Sequence, residues 1–214
     1  MKKLKFVVFL MCVNLFSIFA AEPLKFNLEP SDKKPFGITI GYISKQETGY
    51  VWGNVFRYSL FGGDKGFTPA FQFGFTYVPE FRYGIGIQTG AYVEIASEKP
   101  GRRRYLDINL SFPIRAQYRY EIIKDLSVLL YTGPSFDFGV YGASKIENEN
   151  YGENWYTPNE YSSYDGFNLL WGVGAGVQYK NAQVRLGGEF GLLGDGYERY
   201  YLSKPIQLSL SYLF

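Results

Sequence analysis

Residues 105–120 read YLDINLSFPIRAQYRY, and apolar and polar side chains alternate along this stretch with a period of two. A helix would repeat every 3.6 residues, so the period predicts a β-strand. Strands of globular proteins run about 5–6 residues, whereas strands that cross a membrane need about 9–11. The length of the alternation therefore predicts a membrane-spanning strand, with Leu106 and the other even positions on one face and Asp107 and the other odd positions on the opposite face.

The same alternation recurs in eight segments, at 36–45, 67–78, 83–95, 105–120, 126–141, 167–179, 184–192 and 205–214. Their connections are tight at 79–81, 121–125 and 180–182, and longer at 46–66, 97–103, 143–166 and 194–203. Short turns alternating with long loops are typical of outer-membrane barrels, with the turns in the periplasm and the loops outside the cell. We therefore predict an all-β fold, a closed eight-stranded antiparallel transmembrane β-barrel of up-and-down topology over residues 36–214.

A soluble barrel with the apolar faces turned inward is the alternative architecture. Two features argue against it. The polar faces are rich in glycine, which suits a crowded eight-strand interior better than a solvated surface. The apolar faces carry Tyr or Trp near strand ends, as membrane interfaces favour, and these residues include Tyr42, Tyr118, Trp171 and Tyr179.

The first twenty residues predict a cleaved secretory signal peptide. Lys2, Lys3 and Lys5 precede an apolar run, and Ala20 and Ala21 supply small residues for cleavage, with a cut after Ala20 the better fit. Residues 21–35 then form a periplasmic N-terminal segment. The single cysteine, Cys12, leaves with the signal, as do three lysines, so 19 basic residues face 20 acidic ones in the mature chain. This balance gives no indication of a nucleic-acid partner.

Several strings resemble the small "porin family" outer-membrane proteins of the Bacteroidales, which are Gram-negative bacteria. They are GYISKQ at 41–46, YLDINL at 105–110, YTGPSF at 131–136 and WGVGAGV at 171–177. The resemblance covers the whole mature chain and implies an OmpA-like barrel, here without the peptidoglycan-binding domain. The last six residues, SLSYLF, are similar to the C-terminal signal read by the barrel-assembly machinery, with Tyr212 and Phe214 as its aromatic positions.

The chain contains no histidine. General acid–base catalysis near neutral pH without histidine needs a strongly shifted carboxylate or lysine. The familiar outer-membrane enzymes resemble one another in relying on a histidine as base or orienter, so we predict no enzymatic activity. We also predict no cofactor and no metal site. Gly172, Gly174 and Gly176 lie mid-strand at period two, so they are not a nucleotide-binding loop.

Seven charged residues fall on the polar faces and are predicted to point into the lumen: Glu94, Asp107, Arg115, Arg119, Asp137, Arg185 and Glu189. An eight-strand barrel is just wide enough for side chains to fill it. Since buried charges must pair and both signs are present, we predict a plugged polar lumen. The alternative is a narrow porin-like channel for ions or small solutes.

Two loop clusters are candidate contact surfaces. The 143–166 loop carries Tyr151, Trp155, Tyr156 and Tyr161, whose rings could bind an unidentified surface ligand. The tip of the 97–103 loop is predicted to carry Lys99, Arg102, Arg103 and Arg104, which could contact lipopolysaccharide phosphates. The predicted protein is thus a monomer of the cell outer membrane, in contact with its lipid, with a structural or surface-interaction role. A secretion- or assembly-accessory role rests on family resemblance alone.

Overall fold

The computed structural model describes residues 35–51, 54–58, 67–98, 103–148, 152–156, 167–193 and 200–214. The predicted signal peptide and nearly all of the predicted N-terminal segment lie outside these residues. The strands are β1 (Phe36–Val51), β2 (Asn54–Tyr58), β3 (Thr68–Tyr77), β4 (Ile85–Glu98), β5 (Arg103–Ile123), β6 (Leu126–Asn148), β7 (Gly152–Tyr156), β8 (Phe167–Tyr179), β9 (Ala182–Leu193) and β10 (Tyr200–Leu213). A single short 3₁₀ turn, Arg82–Gly84, precedes β4 in the described chain.

Eight of these strands close into an antiparallel barrel. Each pairs with its neighbour in the order β1, β3, β4, β5, β6, β8, β9 and β10, and β10 returns to pair with β1. The predicted eight-stranded closed fold is confirmed. No helix in the described part of the chain is long and apolar enough to cross a membrane.

The two ends of the barrel differ. One end, called the turn end here, holds Pro35, Phe214 and the short connections 78–84, 124–125 and 180–181. The β3–β4 connection needs its glycine, because Gly84 has a φ of +75° and a Cβ there would lie 2.0 Å from the Arg119 carbonyl oxygen. The opposite end, called the hairpin end, carries the extra strands β2 and β7.

The hairpin end departs from the prediction of long loops. β1 continues to Val51 and folds back as β2, and β6 continues to Asn148 and folds back as β7. Paired strands therefore occupy parts of the predicted 46–66 and 143–166 loops. Strand pairing satisfies the backbone hydrogen bonds of these segments. Their sequences do not alternate between apolar and polar residues, because neither face of these strands lies against the apolar surroundings of the barrel wall.

The barrel is strongly sheared. Following paired neighbours once around it from Phe36 returns to β1 about ten residues further along, at Gln46; the path runs through Tyr77, Thr89, Ile114, Pro134, Trp171, Phe190 and Ser203. Ten residues at ~3.3 Å against a circumference of eight strands at ~4.8 Å give a strand tilt of about 40°. Each residue then rises about 2.5 Å along the barrel axis, so about ten residues of each strand span 25 Å.

The barrel is inverted relative to a soluble one. Its outward side chains are apolar, and Phe71 and Phe75 are 67% and 70% exposed. Most of its inward side chains are polar, and Glu94 and Lys204 are fully buried. A smaller group of buried apolar side chains lies inside as well, formed by Ile43, Ala70, Ala96, Leu170 and Leu202. The faces follow the period-two prediction along most of each barrel strand, and the parity reverses where two consecutive residues face outward, as at Val140 and Tyr141 of β6 and at Pro205 and Ile206 of β10.

Candidate functional site: the charged interior

Eight lysine, arginine, aspartate and glutamate side chains are buried among the described residues. Four are cationic and four are carboxylates: Lys45, Arg115, Arg185, Lys204, Glu94, Asp107, Asp137 and Glu189. With every group ionised, the buried charges sum to zero. A buried charge is costly unless it is paired, so equal numbers of both signs are the condition for a dense interior.

Lys204 of β10 is the centre of the network. Its Nζ lies 2.6 Å from Glu94 Oε1, 2.7 Å from Asp137 Oδ2 and 3.2 Å from Glu189 Oε2. These carboxylates come from β4, β6 and β9. One ammonium with three donors thus joins strands from three sides of the barrel.

Lys45 of β1 extends the network toward the hairpin end. Its Nζ lies 3.1 Å from Glu94 Oε2 and 3.5 Å from Asp107 Oδ2. Glu94 therefore bridges the two lysines, one on each of its oxygens. The four side chains Lys45, Glu94, Asp107 and Lys204 form a continuous chain of alternating charge.

Arg115 of β5 extends the network toward the turn end. Its Nη2 donates to Glu189 Oε1, with Ser135 Oγ at 3.4 Å and Gln207 Oε1 at 3.2 Å. Ser135 Oγ also donates to Glu189 Oε1, at 2.9 Å. Gln207 in turn donates from Nε2 to Gln72 Oε1 at 3.1 Å, so the network reaches the far wall of the barrel.

Tyr131 contacts both buried arginines. The guanidinium carbons of Arg115 and Arg185 lie 5.1 Å and 5.8 Å from its ring centroid, within range of cation–π contact. Arg185 Nη2 donates to Gln117 Oε1 at 2.8 Å and to Gln183 Oε1 at 2.7 Å. The two like charges therefore share one aromatic ring, and both are held by polar partners.

Inward glycines make room for that ring. A Cβ on Gly174 would lie 2.3 Å from the Tyr131 hydroxyl oxygen, and one on Gly187 would lie 2.4 Å from it. A Cβ on Gly172 meets only side-chain atoms, at 3.2 Å and beyond. The period-two glycines therefore shape the interior rather than a phosphate loop.

Gly174→Ala is accordingly expected to cost about 1–3 kcal/mol of unfolding free energy, because it overpacks the interior against Tyr131 and the backbone. Gly172→Ala is the matched comparison and should cost less, because a Cβ there meets no atom closer than 3.2 Å. Urea titration of the folded form in lipid vesicles measures both. Equal effects of the two variants would contradict the packing role given to Gly174.

The turn end has a separate polar mouth, a half-open cavity of about 590 Å³. Arg119 Nη2 donates there to Glu80 Oε1. Burial, and to a smaller extent the negative charge of Glu121, raise the pKa of Glu80 to about 7. This pair is partly exposed, unlike the central network.

Glu80→Gln is expected to change the unfolding free energy by less than about 1 kcal/mol, since a carboxyl with a pKa of about 7 is only about half ionised at neutral pH and glutamine keeps an oxygen that accepts from Arg119. Comparing urea midpoints of the variant and the native chain measures the change. A loss as large as that of a central charge would show that the mouth carries the stability of the interior.

Six of the seven predicted lumen charges lie in the buried interior, and Arg119 lies at the mouth instead. The sequence reasoning missed both lysines. Lys45 shares the inward parity of Ile43 in β1, so the alternation could have identified it. Lys204 could not be found in that way, because Pro205 and Ile206 both face outward and reverse the parity of β10.

The predicted surface residues are only partly described. Lys99, Arg102, Tyr151 and Tyr161 lie outside the described residues. Arg103 and Arg104 begin β5, paired with Ile146 and Lys145, so placing these two arginines at the tip of a loop was wrong.

Trp155 and Tyr156 lie on β7 rather than in a loop. At the other end of the barrel, Tyr212 faces outward on β10, and Phe214 donates its backbone N–H to the Phe36 carbonyl.

Among the described residues, no group of three or more His, Cys, Asp or Glu side chains is placed to hold a metal ion. The carboxylates of the interior are instead occupied by lysine and arginine.

Comparison with known proteins gives likenesses of fold only. No family model and no curated protein matches the chain.

The fold is similar to several solved structures. One is Ail, the attachment invasion locus protein of Yersinia pestis, in complex with the heparin analogue sucrose octasulfate. It is 15% identical, with 85% of this chain and 99% of that chain covered, at a TM-score of 0.47. Neisserial surface protein A is 10% identical, with 84% and 97% covered at 0.45. The N-terminal β-barrel domain of Pseudomonas aeruginosa OprF is 8% identical, with 86% and 100% covered at 0.37. The strand pairing, rather than these likenesses, establishes the barrel, and the resemblance to the Bacteroidales porin family stays a prediction.

Proposed function

We propose that the chain is an outer-membrane barrel with a plugged lumen, which anchors its hairpin end as a structural or interacting surface outside the cell. The inverted polarity of the barrel is the observation that carries this proposal. Side chains such as Phe71 and Phe75 favour a hydrocarbon environment, while closure leaves no backbone edge unpaired there.

The strand lengths support the same orientation. β6 has 23 residues, which at ~2.5 Å of axial rise is about 57 Å, twice the ~25 Å apolar band of such barrels. The excess, together with β7 and β2, extends the hairpin end well beyond the membrane. The turn end is short and holds both described chain ends, as the periplasmic side of an outer-membrane barrel does.

The charge balance supports a plug over a channel. A permeating ion would have to displace Lys204 from three carboxylates or Arg115 from Glu189, in an interior where these groups are almost fully buried. Gln117, Gln178 and Gln183, which are among the residues that line the turn-end cavity, are all buried. A narrow channel for ions or small solutes therefore remains the alternative function.

The contacts of the hairpin end are part of this proposal. The basic residues at 99 and 102–104 would meet lipopolysaccharide phosphates, and the aromatic residues at 151, 155, 156 and 161 would meet a surface ligand. Tyr212 and Phe214 would be read by the barrel-assembly machinery. We propose that the barrel acts as a monomer without catalytic activity, after secretion and removal of residues 1–20.

Planar-bilayer recording of the refolded protein tests the plug, with heat-modifiable gel mobility reporting that the barrel is folded. We expect folded protein to insert without discrete conductance steps. Reproducible steps that change in size on Gln117→Ala, at a buried residue that lines the turn-end cavity, would favour the channel. Gln46→Ala, at a residue that does not line that cavity, is the matched control.

A further inference from the structure

The two buried lysines occupy the strands that close the barrel. Lys45 lies on β1 and Lys204 on β10, and these strands pair with each other at the seam. Among the described side chains, every buried carboxylate lies elsewhere, on β4, β5, β6 or β9, and these walls also carry Arg115 and Arg185. The described walls therefore hold four carboxylates and two arginines, and the described seam holds the two lysines.

Both lysines lie at irregularities of strand register. The β1–β10 register shifts between Ser44 and Gln46, at Lys45. The β10–β9 register shifts between Lys204 and Gln207. A β-bulge changes the direction of the side chains on either side of it. Here β10 has one extra residue, so Pro205 and Ile206 both face outward and Lys204 faces inward.

Closure of the seam depends on this register because the register brings the positive charges of Lys45 and Lys204 to the carboxylates of the interior. Without the seam lysines, four carboxylates face only Arg115 and Arg185, and Arg185 lies against amides rather than carboxylates. Docking of β1 and β10 supplies the two missing positive charges. A slip of one residue would send Lys204 to the apolar outer face, because a one-residue shift exchanges the two faces of a strand.

We propose that Lys45 and Lys204 form an electrostatic clasp that closes the barrel and selects the register of its β1–β10 seam. The clasp is independent of what the hairpin end contacts. It is engaged only when the first and last barrel strands meet in the register that brings both ammonium groups to Glu94.

Thr39 and Ser211 give a direct reporter of that register. They are paired across the seam with their hydroxyl oxygens 2.7 Å apart. In the full chain carrying Cys12→Ser, the pair Thr39→Cys with Ser211→Cys should form a disulfide in the native register. The pair Thr39→Cys with Ser209→Cys should form one only after a two-residue slip, which keeps both side chains inward.

Lys204→Met is expected to reduce native-register cross-linking at least about tenfold, since it leaves three carboxylates short of a cation. Lys204→Arg keeps the charge and should retain cross-linking. Lys204→Met combined with Asp137→Asn restores neutrality and should recover folding, with an increased share of the slipped cross-link. Lys124→Met, at an exposed lysine of the turn end, is the matched control and should behave as the native chain.

Two results would overturn the clasp. One is a folded Lys204→Met barrel that cross-links in the native register as fully as the native chain. The other applies if Lys204→Met fails to fold: the double variant with Asp137→Asn then fails equally, although it is neutral and nearly conserves side-chain volume, which would show that charge balance is not what the seam requires.

Discussion

Arg115→Ala is expected to lower the free energy of unfolding by about 3–5 kcal/mol, the cost of removing one partner from a buried ion pair. The substitution takes a donor from Glu189, Ser135 and Gln207 together and removes the cation packed on Tyr131. Glu189 keeps only Lys204 as a charged partner, and Lys204 already serves two other carboxylates. The interior is then left with one excess negative charge.

Urea titration of heat-modifiable mobility in lipid vesicles measures this loss. Arg119→Ala is the matched control, because the same residue type on the same strand pairs at the part-exposed mouth, where the expected loss is below about 1 kcal/mol. Arg115→Ala with the native urea midpoint would contradict the plug, since a water-filled lumen would screen the charge that remains.

Phe73→Arg on the outer face is expected to cost about 2–4 kcal/mol in a bilayer, the penalty for arginine near the midplane of such a barrel. Phe73 lies half-way along β3 and is half-exposed on the outer surface. Tyr77→Arg places the same charge at the turn end of the same strand, where the cost falls to about 0–1 kcal/mol.

The difference between the two variants tests whether hydrocarbon surrounds the barrel. Unfolding in vesicles of defined thickness should show the larger loss at Phe73 and a small one at Tyr77. An arginine tolerated equally at both positions would show that water rather than hydrocarbon surrounds the barrel.

The strand pattern was readable from the sequence because the barrel has two different environments on its two faces. In residues 105–120, each odd side chain from Asp107 to Gln117 is buried and each even one from Phe112 to Tyr118 is exposed. The same asymmetry is lost beyond the apolar band. There, β2 and β7 form without a period-two pattern, and their existence depends on pairing with β1 and β6.

The sequence pattern could predict the buried charges of the interior only on strand segments without a register shift. Glu94, Asp137 and Glu189 follow the alternation of their strands, so their burial could be anticipated. Lys204 lies beyond a parity reversal caused by two consecutive outward residues, Pro205 and Ile206. Local pattern contains no information on such a shift, which depends on how β10 pairs with β9 and β1.

A nitroxide scan along β10 tests directly whether the barrel is embedded in the membrane and whether its interior is closed. Single cysteines at positions 206–212, in the Cys12→Ser chain reconstituted in bilayers, carry the label. We expect positions 206, 208, 210 and 212 to collide with dissolved oxygen from the lipid, and 207, 209 and 211 to be inaccessible to oxygen and to a water-soluble nickel chelate alike. Accessibility of the odd positions to the nickel chelate would contradict the closed interior, and accessibility of the even positions to it would contradict the membrane barrel.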